Sequence, residues 1–163
     1  MAGWRALHYF DRRVLERWGG ACSLWGPAMT KRKILVIDDE ADICEMTKLL
    51  LERAGHEVAC TTDSRLALRL LKEQPFEVVI TDMLMPDKDG LEVIADLRRH
   101  HPGVRIIASS GGGRVSSNSY LHIAQKSGAH ALLAKPFTYP ELVASIEAAF
   151  QSVSAAPMAK PAA

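Results

Sequence analysis

The middle of this chain repeats one unit, a short apolar run followed by a segment whose apolar residues have helical spacing. The runs are rich in Val, Ile and Leu and lack strict alternation, which is typical of parallel strands buried on both faces. We predict strands at 33–38, 57–60, 77–82, 104–109 and 130–134. Repeated units of this kind predict an α/β fold, a doubly wound five-stranded parallel sheet with helices on both faces.

Local signals place the helices between these strands. The first helix is predicted at about 41–54, ending before Gly55, and the fourth at about 117–128. Ser64 is expected to cap the second helix, and Pro140 to lie in the first turn of the fifth. Apolar residues at helical spacing are predicted to face the sheet: Ile43, Met46 and Leu50; Ala67, Leu70 and Leu71; Leu91, Ile94 and Leu97; Leu142, Val143, Ile146 and Phe150.

The chain length of 163 residues suits one domain with additions at its ends. We predict an N-terminal extension outside the fold at 1–30, the domain at 31–150 and a disordered tail at 151–163. The tail is rich in Ala, Pro and Ser, which leaves too little apolar surface to order it. Met29 lies directly ahead of the first strand and would be a natural first residue.

Composition narrows the expected partners and compartment. A net charge of +1 predicts no general attraction to nucleic acid or to anionic membrane. No apolar stretch approaches the ~20 residues needed to span a bilayer. Three cysteines without metal-ligand spacing indicate reduced thiols: Cys22, Cys44 and Cys60. We therefore expect a cytoplasmic protein that binds neither nucleic acid nor membrane.

Polar side chains stand where four of the predicted strands end. They are Asp38 and Asp39 after the first strand, Asp82 at the third, Ser110 after the fourth and Lys135 after the fifth. In an open α/β sheet the carboxyl ends of the strands meet at one edge, where ligands bind. The sequence therefore predicts a polar site at this edge.

These residue types indicate phosphoryl transfer. Carboxylates gathered at one edge repel one another and stay ionised only beside a cation. Hard oxygen ligands with open positions suit Mg²⁺, which also takes phosphate oxygens. Lys135 would supply a fixed positive charge, Ser110 a hydroxyl donor, and Asp82 the nucleophile of an in-line displacement.

Four motifs give the chain a family resemblance: ILVIDDE at 34–40, VVITDMLMPDKDG at 78–90, IIASSGG at 106–112 and AKPF at 134–137. Over about residues 31–150 the chain resembles the receiver (response regulator) domain of two-component signalling. The resemblance implies a flavodoxin-like sheet with the strand order 2-1-3-4-5.

The resemblance also implies how the acids act. Asp39 and Asp82 would ligate Mg²⁺ directly, and Asp38 partly through water. The backbone carbonyl of Leu84 would complete the protein ligands. A phosphohistidine on a partner sensor histidine kinase would transfer its phosphoryl group to Asp82.

Ser110 and Lys135 are implied to read out the phosphoryl group, and the Lys135–Pro136 peptide bond is expected to be cis. Leu132 stands where relatives often carry Tyr or Phe, and a leucine cannot give the same rotamer signal. Three glycines at 111–113 predict a mobile loop after the fourth strand. The predicted switch region combines these positions: Gly111, Gly112, Leu132 and Pro136.

We expect a stand-alone receiver, since only a short tail follows the last predicted helix. It would be a phosphoacceptor switch, not an enzyme, that promotes its own phosphorylation and dephosphorylation and binds a downstream protein target. Alternatives are a phosphorelay intermediate that serves a histidine phosphotransfer protein, and a module that binds partners without phosphate. A haloacid-dehalogenase-type phosphatase needs a second Asp where Leu84 stands. The run 49–51 spans about 200° of a helix, so one leucine should lie at the surface, where a kinase helix could pack.

Overall fold

The computed structural model describes residues 30–85, 90–111 and 117–151, apart from the side chains of 117–121. The expected N-terminal extension and C-terminal tail lie almost wholly outside these ranges, so the domain boundaries stay predictions.

Within the described ranges five strands alternate with five helices, as the sequence predicts. In chain order the elements are β1 (Lys33–Ile37), α1 (Ala41–Arg53), β2 (Glu57–Thr61), α2 (Ser64–Glu73), β3 (Val78–Asp82), α3 (Gly90–His100), β4 (Arg105–Gly111), α4 (Ser117–Ser127), β5 (Ala131–Lys135) and α5 (Tyr139–Gln151). Strand β4 extends two residues beyond its predicted end, because Ser110 and Gly111 still pair with β5. Ser110 therefore lies inside a strand rather than after it.

The strands form one parallel sheet in the order β2-β1-β3-β4-β5, which confirms the predicted topology. A parallel neighbour can be reached only through a crossover, which the helices supply. From β1 the chain goes first to β2 on one side and then to β3 on the other. The carboxyl ends of β1 and β3 therefore flank the point where sheets of this order bind ligands.

Two apolar cores, one on each face of the sheet, hold the helices. Successive side chains of a strand point to opposite faces, so Ile34 and Val36 join one core while Leu35 and Ile37 join the other. The α1/α5 core takes its helix residues from those two helices: Cys44, Leu51, Leu142, Ile146 and Ala149. The α2/α3/α4 core takes them from the remaining three: Ala67, Leu71, Val93, Ile94, Leu97 and Ala124.

The predicted inner face of α1 is correct at Leu50, which is partly buried against the α1/α5 core, and wrong at Met46. The fully buried side chains are Cys44, Thr47 and Leu51. Met46, predicted to face the sheet, is 43% exposed, and Leu49 is 52% exposed. The apolar pattern was misleading because the small side chains of Cys44 and Thr47 are buried in place of Met46. The Cys44 thiol also donates weakly to the Thr61 carbonyl oxygen at 3.6 Å. The exposure of Leu49 confirms that one residue of the leucine run lies at the surface.

The cap of α2 also differs from the prediction. Asp63 is the N-cap, and its Oδ1 accepts the backbone N–H of Arg65 at 2.7 Å, while Ser64 is the first helical residue. Both residue types cap helices well, so sequence alone could not choose between neighbours. Gly55 has a φ of +92° directly after α1, which confirms its predicted place at that helix end.

Candidate functional site

The carboxyl edge of the sheet brings three charged side chains into contact. Lys135 Nζ lies 2.7 Å from Asp38 Oδ2 and 3.0 Å from Asp82 Oδ1. Asp38 and Asp82 are 3% and 4% exposed, so both carboxylates are buried. The strand register explains the meeting, because β1 and β3 pair side by side up to the residues before these two acids.

Each carboxylate uses both of its oxygens. Asp38 Oδ1 accepts the backbone N–H of Glu40 at 3.1 Å, and Asp82 Oδ2 accepts that of Leu84 at 2.9 Å. In both cases the second oxygen is the one paired with Lys135. This local bonding to the backbone two residues onward fixes the orientation of a carboxylate before any ligand arrives.

Burial and charge oppose each other in this cluster. Burial raises the pKa of Asp38, although hydrogen bonding and charge from Lys135 act in the lowering direction. Burial alone would lower the pKa of Lys135, but its hydrogen bonds and charge interactions with Asp38 and Asp82 raise it. Lys135 is therefore held as an ammonium between two acids. With both acids ionised the cluster carries one excess negative charge, which favours a further cation.

The donor set fits Mg²⁺ in its chemistry. Asp38 and Asp82 offer buried hard oxygens, and Asp39 is an exposed carboxylate next in sequence. In the part of the chain that the structure describes, no three His, Cys, Asp or Glu side chains converge as a ligand group. The structure thus brings two of the predicted acids together through Lys135. The roles of Asp39 and of the Leu84 carbonyl stay predictions.

The predicted readout and switch residues differ from one another in burial and in hydrogen bonding. Ser110 is fully buried, and its Oγ donates to the Gly111 carbonyl oxygen at 3.3 Å rather than to an acid of the site. Leu132 is partly buried against the α2/α3/α4 core. The peptide bond before Pro136 is cis, as expected. Gly112 lies outside the described residues.

Two residues of the site were missed by sequence reasoning. Ser109 is paired with Asp82 across β3 and β4, and its buried Oγ has no hydrogen-bond partner among the described residues. Gly90 begins α3 so close to β3 that an added Cβ would lie 2.7 Å from the Met83 Cα. Gly90 directly precedes Leu91, the first apolar residue predicted to face the sheet from the third helix, and a glycine in that place is a readable signal. The position of Ser109 needed the strand register, which sequence does not state.

Comparison with known proteins agrees with this geometry. A sequence model of the response regulator receiver domain matches residues 34–147. The DNA-binding transcriptional regulator NtrC of Azospirillum brasilense is 34% identical over 126 residues, which cover 76% of this chain and 25% of that protein. This chain therefore spans about a quarter of that relative.

Solved structures show the same fold. A response regulator receiver domain protein from Clostridium thermocellum is 37% identical, with a TM-score of 0.67 over 72% of this chain and 93% of that one. The chemotaxis response regulator CheY4 of Vibrio cholerae is 27% identical, with a TM-score of 0.65 over 74% of this chain and 99% of that one. Since the family match spans all five strands and the acid–lysine cluster, this chain belongs to the response regulator receiver domain family of two-component signalling.

Proposed function

We propose that Asp82 accepts a phosphoryl group from a phosphohistidine of a sensor histidine kinase, and that the added charge changes the binding of a partner protein. Receiver domains are phosphoacceptor switches, generally not classed as enzymes. The observation that carries the proposal is the setting of Asp82. It is a buried carboxylate at a strand end, held on one oxygen by Lys135 and on the other by a backbone N–H.

The chemistry needs little from the protein beyond position and charge. A carboxylate oxygen of Asp82 bonds to phosphorus while the P–N bond of the phosphohistidine breaks, and the bonding pair returns to the imidazole nitrogen. A carboxylate nucleophile has no proton to lose, so this step requires no general base. The ammonium of Lys135, now 3.0 Å from Asp82, is placed to follow the new negative charge. We also infer that the site promotes its own phosphorylation and dephosphorylation.

Receiver domains generally bind Mg²⁺ at the phosphorylation site. For this chain we infer that Asp38, Asp39, Asp82 and the backbone carbonyl of Leu84 hold the ion. When bound, Mg²⁺ neutralises charge on the phosphoryl oxygens. The buried carboxylate oxygens of Asp38 and Asp82, which lie beside one another through Lys135, support this assignment.

For the readout we infer that Lys135 and Ser110 turn towards the phosphoryl group, which adds about −1.5 to −2 charge at neutral pH. Ser110 would then give up its 3.3 Å hydrogen bond to the Gly111 carbonyl. Leu132 lacks an aromatic ring, so the change should pass mainly through the segment after Gly111 and through α4. Within that segment Gly112 is a proposed switch residue.

Receiver domains interact with histidine kinases and downstream effectors in general. On this chain we infer that the kinase packs on α1, where Met46 and Leu49 are 43% and 52% exposed. In a phosphorelay, a histidine phosphotransfer protein would pack on the same surface of α1 and receive the phosphoryl group from Asp82. That the receiver acts without an output domain stays a prediction.

A cytoplasmic location is our inference from thiol chemistry. Cys44 and Cys60 are free, and burial raises the pKa of Cys44 to about 12. Separately, none of the helices among the described residues is long and apolar enough to cross a bilayer. DNA binding is stated in the name of the Azospirillum relative, of which this chain covers 25%.

The test is phosphorylation with a small acyl phosphate and Mg²⁺, read by the mass gain of one phosphoryl group. We expect a base-labile product on the wild-type protein and none on Asp82→Asn. The matched control is Asp42→Asn, an exposed acid in the first turn of α1, which should label like wild type. Equal labelling of Asp82→Asn and wild type would refute the assignment of the acceptor.

A further inference from the structure

Ser109 is a buried hydroxyl without a partner at the edge of the site. Its residue is 2% exposed, and its Oγ makes no hydrogen bond among the described residues. Buried polar atoms are nearly always paired, because an unmade hydrogen bond costs free energy in the folded state. The orphan oxygen therefore indicates an interaction that is absent from the resting arrangement.

The register places this hydroxyl on the face of the acid–lysine cluster. In a parallel sheet, paired residues of neighbouring strands project to the same face, and so do residues two apart along one strand. Ser109 pairs with Asp82 on β3 and with Leu133 on β5, and Lys135 is two residues beyond Leu133.

The core assignments support the same placement independently. Two residues before each polar side chain lies a member of the α1/α5 core, and the four members are Val36, Ile80, Ile107 and Leu133. Asp38, Asp82, Ser109 and Lys135 therefore all lie on that face. By the same alternation Ser110 belongs to the opposite face, as Ala108 does.

The hydrogen-bond inventory supplies the missing partner. An ammonium has three N–H donors. Those of Lys135 meet Asp38 Oδ2 at 2.7 Å and Asp82 Oδ1 at 3.0 Å, and the described residues show no third protein acceptor. Ser109 offers an oxygen that lacks a donor, on the same face and beside the same strand end.

We propose that Ser109 is a positioning residue for Lys135: its hydroxyl oxygen accepts an ammonium N–H when Lys135 leaves Asp38 for the phosphoryl group on Asp82. The idea deepens the proposed function and rests on Asp82 being the acceptor. In the resting state Asp38 holds the ammonium. In the phosphorylated state the ammonium moves away from Asp38 towards the end of β4. The Ser109 oxygen then replaces Asp38 as an acceptor for one ammonium N–H.

The first experiment compares two substitutions of nearly equal shape. Both substitutions add about the same volume, so they alter the packing equally. Ser109→Thr keeps the hydroxyl, whereas Ser109→Val removes it and with it the hydrogen bond. We expect Ser109→Thr to keep the wild-type lifetime of the phosphorylated protein. Ser109→Val and Ser109→Ala should change that lifetime about tenfold, the size expected for one hydrogen bond to a charged group.

A matched control separates this effect from the loss of any buried serine. Ser145 is 6% exposed on α5, and its Oγ donates to the Leu142 carbonyl oxygen at 2.7 Å. Ser145→Ala should lower the melting temperature and leave the phosphoryl lifetime unchanged. If Ser109→Thr and Ser109→Val behave alike, or if Ser109→Ala matches wild type, the side chain matters only for its size and the proposal is wrong.

A second experiment needs no variant. NMR of the wild-type protein with Mg²⁺ and beryllofluoride should show a protected Lys135 ammonium with a nuclear Overhauser effect to the Ser109 Hβ protons. The same contact should be weaker without the phosphoryl mimic. An ammonium that stays beside Asp38 with the mimic bound would overturn the proposal.

The two levels of inference fail separately. Labelling of Asp82→Asn at the wild-type rate would remove the proposed function itself. Normal labelling of wild type at Asp82, with no difference between Ser109→Thr and Ser109→Val, would remove only the role of Ser109.

Discussion

The polar groups at the two edges of the sheet find their partners in different ways. At the carboxyl edge, Asp38, Asp82 and Lys135 satisfy one another, with one cation shared by two acids. At the amino edge, His56 and His130 satisfy the backbone: the Nδ1 of His56 accepts the N–H of Arg32 at 3.2 Å, and that of His130 accepts the N–H of Ile106 at 3.0 Å.

Each histidine directly precedes an edge strand, β2 or β5, and ties it to its inner neighbour. An Nδ1 that accepts a hydrogen bond requires a neutral imidazole. Burial lowers the pKa of both rings, helped by the charge of Arg32 near His56 and of Arg105 near His130. The amino edge therefore keeps these two hydrogen bonds over the pH range where the rings stay neutral.

The comparison teaches where change can occur in this fold. Backbone acceptors and donors do not move without breaking the sheet, so the amino edge is fixed. The shared lysine of the carboxyl edge can exchange one acid for another group at little cost to the sheet. Under the proposed function, phosphorylation therefore changes the partners of Lys135 at the carboxyl edge and leaves the hydrogen bonds of the amino edge in place.

The largest expected difference comes from removing a cation at each edge. Lys135→Met leaves two buried carboxylates without their counter-charge and should lower the unfolding free energy by about 3 kcal/mol in metal-free buffer. Lys33→Met is the control at the amino edge, where Lys33 pairs with the exposed Glu57 at 2.9 Å. It should have a much smaller effect, since surface ion pairs contribute little.

Urea denaturation at neutral pH measures both variants. The loss in Lys135→Met should shrink as the pH falls into the carboxyl range, because protonated acids no longer repel. Equal losses for the two lysines would break the comparison.

A smaller effect is expected from adding a methyl group at each edge. Gly90→Ala would place a Cβ against the Asp82 carbonyl oxygen and 2.7 Å from the Met83 Cα, so α3 must shift. Overpacking of this kind costs about 1–3 kcal/mol. Gly103 lies in the turn before β4, where an added Cβ meets nothing within 4 Å.

Gly103→Ala should therefore leave the melting temperature near that of wild type. Gly90→Ala should lower it and also slow the labelling of Asp82, whose backbone it displaces. Normal labelling in a destabilised Gly90→Ala would show that the contact supports folding alone.

The smallest effect concerns pH at the amino edge. The folded-state pKa of His56 and of His130 lies below the ordinary 6.5. As the pH falls below 6.5, both histidines are protonated in the unfolded chain while they remain neutral in the folded one. The free energy of unfolding therefore decreases until the pH reaches the folded-state pKa. Above this window the stability contributed by both neutral rings is fully present.

The double variant His56→Asn, His130→Asn keeps an acceptor oxygen near each Nδ1 position and should flatten the slope of stability against pH. His100→Asn, at the exposed end of α3, should leave the slope unchanged. A slope that survives the double variant would assign the pH dependence to other groups.

Sequence reasoning located the strand ends well, because a buried parallel strand is recognisable as an unbroken apolar run that ends at a polar residue. It placed Asp38, Asp82 and Lys135 at one edge for that reason. The inner face of α1 was read wrongly, since Cys44 and Thr47 pack closest although neither is strongly apolar. Sequence reasoning missed Ser109 because its place beside Asp82 depends on the pairing of β3 with β4.

The shared lysine also sets a rule of ionic selection. A cation that takes over the carboxylates of Asp38 and Asp82 competes with an ammonium already 2.7 Å and 3.0 Å away. A monovalent ion carries the same charge as the ammonium it displaces. Its dehydration therefore costs free energy without a gain in electrostatic attraction. A divalent ion brings twice the charge and can leave the lysine in place. The charge of Lys135 therefore favours a divalent over a monovalent ion at these carboxylates, before any ligand geometry is considered.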